Sequence, residues 1–159
     1  MKVFAVMIPL ITGLVLLSVL APFGTSQSVQ RGSAKPIIGF VPDADFGCGC
    51  YIYRNRSDDR NRRYIFVGPM DEPGYLNIDG ETIRLKFMGR NKARRNERVG
   101  DRSWERYSSG DVTARIDYLV TAVCDPHDEN CEATRYSVRL TVARAKASTT
   151  ARALAACGC

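Results

Sequence analysis

Apolar and polar residues alternate over most of the chain, and a period of two is typical of β-strands that bury one face. The clearest stretch is 112–124, where Val112, Ile116 and Val120 share one face while hydroxyl and charged residues occupy the other. Residues 134–143 repeat this pattern. Together the two stretches predict a β-hairpin.

Shorter stretches at 50–53, 64–67, 75–78 and 82–87 are rich in aromatic and β-branched residues and predict further strands. The dipeptide Asp79-Gly80 separates the last two. Asp-Gly between alternating runs is a strong signal for a tight hairpin turn.

The alanine-rich stretch 148–156 favours a helix by propensity. We nevertheless predict a strand, because the cysteine motif that follows must reach the start of the domain. No helix is predicted beyond the N-terminal region. With roughly eight short strands, the sequence predicts an all-β fold, either an antiparallel β-sandwich or a barrel.

Cys124 and Cys131 bracket the tip of the predicted hairpin, and we expect them to form a disulfide. If they lay directly opposite each other, Val120 would share a face with Arg135, and the two apolar faces would disagree. The sequence therefore predicts a β-bulge in this hairpin, or cysteines that lie beyond its ladder.

The other four of the six cysteines form two C-G-C motifs. Because residues i and i+2 of a strand face the same way, each motif presents two thiols on one side. Antiparallel neighbours would pair Cys48 with Cys159 and Cys50 with Cys157. Parallel neighbours would pair Cys48 with Cys157 and Cys50 with Cys159, and the sequence leaves both arrangements open.

A metal site is the alternative interpretation of these motifs. Cys48, Cys50, Cys157 and Cys159 would supply four thiolates for zinc or copper(I). The single histidine, His127, excludes most mixed-ligand sites. We favour disulfides, because the N-terminus carries the pattern of an export signal and disulfides persist in oxidising compartments.

Met1-Lys2 precedes an apolar run over residues 3–23, the pattern of an export signal that would be cleaved after Ser26. The predicted organisation is a signal peptide at 1–26, a linker at 27–36 and one β-domain at 37–159. We expect a periplasmic or secreted protein. The alternative is a protein anchored in the membrane through an uncleaved segment at residues 3–23.

The chain has a formal net charge of +6, and arginines are frequent in its predicted loops. Guanidinium groups suit phosphate and carboxylate partners, so we expect an anionic envelope component or an acidic protein as partner. Nucleic acid is a poor match for an exported protein. The alternative is a solvated charged surface. The candidate anion-binding residues are Arg54, Arg56, Arg60, Arg62, Arg63, Arg90, Arg94, Arg95 and Arg98.

No G-x-S-x-G, H-E-x-x-H or glycine-rich phosphate loop is present. The polar loop 125–130 contains carboxylates and His127, but its spacing matches no cation-binding motif, and a hairpin turn is the favoured interpretation. The sequence therefore predicts a non-enzymatic protein with no catalytic residues and no cofactor.

Three stretches of the chain resemble small exported bacterial β-rich proteins with paired C-G-C motifs. They are the N-I-D-G turn within 75–87, the stretch 110–124 with Cys131 after it, and the A-C-G-C at 156–159. The resemblance implies an exported β-domain. It brings no activity and no functional residue to this chain.

Overall fold

The computed structural model of the chain describes residues 34–45, 47–69, 73–91, 96–124 and 131–159. These residues form a closed barrel of eight antiparallel strands, in which each strand pairs with its neighbours in sequence and the last pairs with the first. The predicted all-β fold is confirmed, as a barrel rather than a sandwich. The strands are β1 (Gly49–Tyr53), β2 (Phe66–Pro69), β3 (Gly74–Ile78), β4 (Glu81–Arg90), β5 (Arg102–Ser109), β6 (Val112–Ala122), β7 (Ala133–Arg144) and β8 (Ala147–Gly158).

The N-terminal predictions lie outside this part of the chain. Residues 1–33, which hold the predicted signal and most of the predicted linker, are not among the described residues. Among the residues that are described, no helix has both the length and the hydrophobicity needed to cross a membrane. The export signal and its cleavage therefore stay predictions.

Three two-residue turns close one end of the barrel, here called the turn end: Asp79-Gly80, Gly110-Asp111 and Ala145-Lys146. Asp79 and Gly80 have φ angles of 55° and 89°, as expected for a turn with two left-handed residues, so the predicted hairpin is confirmed. The Arg144 guanidinium links the turns, because it lies 3.3 Å from Asp79, 3.6 Å from Glu81 and 3.8 Å from Asp111.

The β6–β7 hairpin shows how the register conflict is resolved. Val120 pairs with Tyr136, so the apolar faces of both strands point into the barrel. The register then shifts, and Ala122 pairs with Arg135. Cys124 and Cys131 lie beyond the ladder and form a disulfide. The predicted bulge and the predicted disulfide are both present.

Strand β5 was not predicted as a strand. Its inward positions hold Ser103, Glu105 and Tyr107, which are all buried, while Trp104 points outward. Two of the three inward residues are polar, so the stretch lacks the apolar face by which a strand is recognised in sequence.

A short helix, α1 (Arg56–Arg60), is a further difference, because no helix was expected here. Asn55 caps it: its side-chain oxygen accepts hydrogen bonds from the backbone N–H groups of Ser57 at 2.8 Å and Asp58 at 3.0 Å. The cap satisfies two backbone donors that a single helical turn leaves unpaired. The helix lies within the β1–β2 connection.

The barrel interior forms the main core, and residues 37–41 cover part of it. Ile38 pairs with Ile78 and is buried against the core. Val41 packs outside the barrel on Tyr53 and Val67, which covers the outer face of β1 and β2. The fully buried interior side chains include Ile52, Phe66, Leu76, Leu85, Ile116 and Leu140.

The ladder between β1 and β8, here called the seam, closes the barrel. Cys50 lies directly opposite Cys157 in this ladder and forms a disulfide with it. Cys48 forms a second disulfide with Cys159 immediately beyond the ladder. The antiparallel alternative is therefore the observed one, and the end of the barrel that contains both bonds is called the cysteine end. Three disulfides indicate an oxidising compartment outside the cytoplasm.

Candidate functional site

The outer face of β4–β8 carries a band of basic side chains. These residues alternate with buried ones, so they point away from the core. At the outward positions of these five strands, Asp117 is the one acidic residue. We call this set the basic outer face: Arg84, Lys86, Arg102, Arg106, Arg115, Arg139 and Arg152.

Strand register places arginines directly against each other on this face. Arg106 lies opposite Arg115, and Arg139 lies opposite Arg152. Side chains opposite each other are separated by about 5 Å at Cβ, and like charges in such pairs destabilise a sheet. Asp117 lies between the two pairs, opposite Arg139 and bonded to Arg115, and it offsets part of this repulsion.

Two neighbouring side chains order the cations without neutralising all of them. Asp117 accepts hydrogen bonds from Arg115 at 2.7 and 2.9 Å, and this contact raises the pKa of the guanidinium. The half-buried Trp104 ring lies under two guanidinium carbons, those of Arg106 at 4.8 Å and Arg115 at 5.0 Å. Cation–π contacts hold a guanidinium in place but leave its charge in full.

Several of the arginines predicted to bind anions also make intramolecular contacts. The guanidinium carbons of Arg54 and Arg63 both lie over the Phe40 ring, 4.7 and 4.1 Å from its centroid. Arg62 lies 3.5 Å from Asp45. These contacts tie the segment before β1 to the β1–β2 connection.

Arg56 and Arg60 lie on α1 and line a hollow of about 580 Å³. Arg135 of β7 forms another wall and donates hydrogen bonds to the Tyr53 hydroxyl at 3.1 Å and to Asp59 at 3.3 Å. Burial raises the pKa of Tyr53, although the bond from Arg135 acts in the opposite direction.

The remaining predicted arginines lie in the β4–β5 region. Arg90 sits at the cysteine end beside Glu105, whereas Arg98 is exposed, with its backbone N–H donating to Asp101 at 3.1 Å. Arg94 and Arg95 lie outside the described residues, as does the polar loop 125–130 with His127. The described part of the predicted set is therefore spread over separate regions rather than gathered into one surface.

The alternative metal site uses sulfur atoms that are bonded in pairs here. Cys48, Cys50, Cys157 and Cys159 form the two seam disulfides. Metal ligation by cysteine requires thiolates, which a disulfide does not provide. In the oxidised chain these four residues hold the barrel closed.

A cavity of about 1310 Å³ opens at the cysteine end. Its walls include Phe87, Arg90, Glu97, Glu105 and Tyr136. It also extends to side chains on the outer face of β4, so part of this volume is an external groove. Cavities of a few hundred Å³ or more are the usual size of small-molecule sites.

Buried polar side chains of β5 form the inner wall of this end. Glu105 is 6 % exposed, and its Oε2 accepts hydrogen bonds from Tyr107 at 2.9 Å and Tyr118 at 3.2 Å. The burial of Glu105 and Tyr107 was not predicted from the sequence. The signal was present in the alternation of Ser103, Glu105 and Tyr107 with larger outward residues, but in β5 the polar side of this alternation faces inward.

Comparison of the chain with protein-family models, curated proteins and solved structures found no match.

Proposed function

We propose that this chain is a non-enzymatic binding domain, periplasmic or secreted, whose basic outer face binds an acidic polysaccharide of the cell envelope. The observation that carries the proposal is the placement of arginines directly opposite one another, Arg106 with Arg115 and Arg139 with Arg152. Such pairs cost stability in the free domain. A polyanion that lies across both pairs removes that repulsion.

The dimensions of the face suit an extended ligand. Five strands at spacings of about 4.8 Å span about 19 Å, and outward residues repeat every 6–7 Å or so along each strand. Guanidinium groups form bidentate hydrogen bonds with carboxylate, sulfate and phosphate groups. A polymer with charges at similar intervals meets several arginines at once.

Trp104 favours a glycan over other polyanions. Its half-buried ring lies beside Arg106 and Arg115. To pack its apolar face on the indole, a sugar ring displaces the guanidinium groups of Arg106 and Arg115 from the Trp104 ring, and these groups then pair with its acidic substituents. In a uronic acid polymer every charged residue carries such a face, whereas the carboxylates of an acidic protein and the headgroups of an anionic bilayer do not.

The test measures binding to immobilised polygalacturonate, a carboxylate polymer, and heparin, a sulfate polymer. The variant Arg106→Glu/Arg139→Glu reverses two charges on the face. Two lost ion pairs at about 1 kcal/mol each correspond to about a 30-fold loss of affinity. Trp104→Ala is expected to weaken binding at unchanged net charge.

The matched control is Arg56→Glu/Arg60→Glu, which makes the same change in net charge on α1. It is expected to retain most of the affinity. Equal losses in both double variants would mean non-specific attraction and would refute the proposal. Binding to phosphatidylglycerol vesicles or to polyglutamate, with none to either polysaccharide, would refute the choice of a glycan.

A further inference from the structure

The hollow beside α1 gathers positive charge at a place other than the basic outer face. Its lining contains Arg56 and Arg60 from the helix and Arg135 from β7. Asp59 is the one acidic residue among the described lining, so the hollow has a net charge of +2. None of the seven residues of the basic outer face lines it. The hollow is therefore distinct from the surface that is proposed to bind the polysaccharide.

Arg135 is held in place by contacts with β1 and α1. Its Nη1 atom donates hydrogen bonds to the Tyr53 hydroxyl at 3.1 Å and to Asp59 at 3.3 Å. The N–H groups of Nη2 and Nε have no partner among the described residues. A side chain that is already ordered loses little further conformational entropy when a ligand binds. Arg135 is thus an ordered cation that still has donors for a ligand.

The two arginines of α1 are four positions apart, so they lie on the same side of the helix. Both are exposed, and neither guanidinium has a hydrogen bond or an ion pair among the described residues. Like charges at this spacing destabilise a helix. Asp59 offsets part of the repulsion between Arg56 and Arg60, and an anion bound between them would offset more of it.

Much of the remaining lining is apolar. Ala122, Leu154 and Ala155 contribute only hydrocarbon side chains to it. Opposite charges attract each other more strongly beside apolar atoms than in open water, because the effective dielectric constant is lower. An anion that meets the three guanidinium groups here is therefore held more strongly than it would be on a fully solvated surface.

A phosphate monoester matches these three donors better than other common anions do. It carries a charge of about −1.5 to −2 near neutral pH and has three terminal oxygens that accept hydrogen bonds. Charge-assisted hydrogen bonds from guanidinium groups to phosphate are among the strong ones in proteins. A carboxylate and a phosphodiester each have a single charge and two such oxygens, so both offer less to three arginines.

We propose that the hollow beside α1 binds the phosphate group of a phosphomonoester, with Arg56, Arg60 and Arg135 as its contacts. Tyr53 and Asp59 position Arg135 and do not touch the phosphate. The phosphate belongs either to a soluble ester or to a lipid headgroup, since the chemistry of recognition is the same in both. Binding leaves the ester intact.

The experiment measures binding to the oxidised full chain by phosphorus NMR and calorimetry at fixed ionic strength. Inorganic phosphate and glucose 6-phosphate are expected to bind. Dimethyl phosphate is expected to bind about tenfold more weakly, because it has one charge and two terminal oxygens. Vesicles that contain phosphatidic acid, a lipid phosphomonoester, are compared with vesicles of the diester phosphatidylglycerol. Binding of phosphatidic acid alone would assign the phosphate to a lipid, and binding of glucose 6-phosphate alone to a soluble ester.

Arg60→Gln separates phosphate binding from the stability of the fold. It removes no contact among the described residues and relieves the repulsion from Arg56, so the unfolding midpoint is expected to stay the same or to rise. Phosphate affinity is expected to fall about tenfold, because a charge-assisted hydrogen bond is lost. Arg135→Gln should weaken binding by a similar factor. Arg139→Gln, on the basic outer face, makes the same change in net charge and is the matched control, with an expected change of less than about twofold.

Three results would overturn the proposal. The first is that no phosphomonoester binds, either in solution or in a vesicle. The second is that dimethyl phosphate binds as tightly as glucose 6-phosphate, which would mean a general attraction for anions. The third is an equal loss of affinity in Arg60→Gln and Arg139→Gln, which would mean a response to net charge alone. Because the polysaccharide test reverses charge at Arg106 and Arg139, either proposal can fail while the other stands.

Discussion

The two seam disulfides lie so close together that their contributions to stability are expected to be strongly non-additive. Cys48–Cys159 and Cys50–Cys157 connect the same two strands, two residues apart on each. Either bond alone already holds β1 beside β8 in the unfolded chain. Removing one bond is therefore a different perturbation from removing both.

The magnitude follows from the loops that the bonds close. Taken alone, the bonds span 111 and 107 residues, and chain entropy gives about 4.8 kcal/mol of stabilisation for either. When one is in place, the other closes a ring of only about six residues and contributes about 2 kcal/mol. Loss of either bond should cost about 2 kcal/mol, and loss of both about 7 kcal/mol.

The assay is guanidinium unfolding of the oxidised protein, followed through the fluorescence of its single tryptophan, Trp104. Three variants are compared with the parent: Cys48→Ala/Cys159→Ala, Cys50→Ala/Cys157→Ala, and all four together. The inner pair is half-buried, and its removal should cost roughly 1 kcal/mol more than removal of the outer pair, because packing is lost.

The control is Cys124→Ala/Cys131→Ala. That bond has a sequence separation of 7 and lies outside the seam, so its loss should cost about 2 kcal/mol and should add to the loss of either seam bond. If the four-cysteine seam variant lost only the sum of the two pairs, shared loop closure would be refuted. A loss of about 5 kcal/mol from one seam pair alone would refute it as well. Complete unfolding of the four-cysteine variant, with both pairwise variants folded, agrees with the reasoning.

Two further changes test the packing and the titration of the barrel. In Gly74→Ala, the added methyl group would lie 2.6 Å from Phe66 and 3.2 Å from Tyr107. We therefore expect the free energy of unfolding in guanidinium to fall by about 1–3 kcal/mol, against almost no change for the exposed Ser137→Ala. Equal stability of the two variants would contradict this packing. Burial raises the pKa of Tyr53 above 10.0, so its contribution to stability is complete below about pH 10 and is lost as the pH rises through the folded-state value. Unfolding midpoints measured between about pH 8 and 11 should fall less steeply in Tyr53→Phe, and an identical pH dependence would contradict this cause.

The alternation of apolar residues predicted the hairpins well, because a strand with one buried face must repeat every two residues. The β6–β7 pair shows this most clearly, since the conflict between Val120 and Arg135 predicted a bulge or cysteines beyond the ladder, and the structure contains both. The choice between sandwich and barrel was left open. Alternation predicts which face of a strand is buried, but it does not predict whether the first strand pairs with the last.

Alternation placed Arg84, Lys86, Arg115 and Arg139 on outward faces, but the direct pairing of arginines on the basic outer face could not be derived by the same reasoning. Arg106 and Arg115 are nine positions apart, and Arg139 and Arg152 are thirteen apart, so only the register of the ladders brings each pair together. The arginine-rich loops were more conspicuous in the sequence, although Arg54 and Arg63 pack on Phe40 in the fold. Strand β5 was missed because its inward Glu105 makes the core side polar.

The order of the strands has a consequence for how the chain folds for the first time. Seven of the eight ladders join strands that are adjacent in sequence, and such local pairings form quickly. The ladder between β1 and β8 joins residues about a hundred positions apart. In a reduced chain this pairing is therefore expected to form slowly, because a long loop must close first. Once Cys50 and Cys157 are joined, the two strands remain together even in denaturant. Later refolding needs only local steps, and the oxidised and reduced chains have different rate-limiting events.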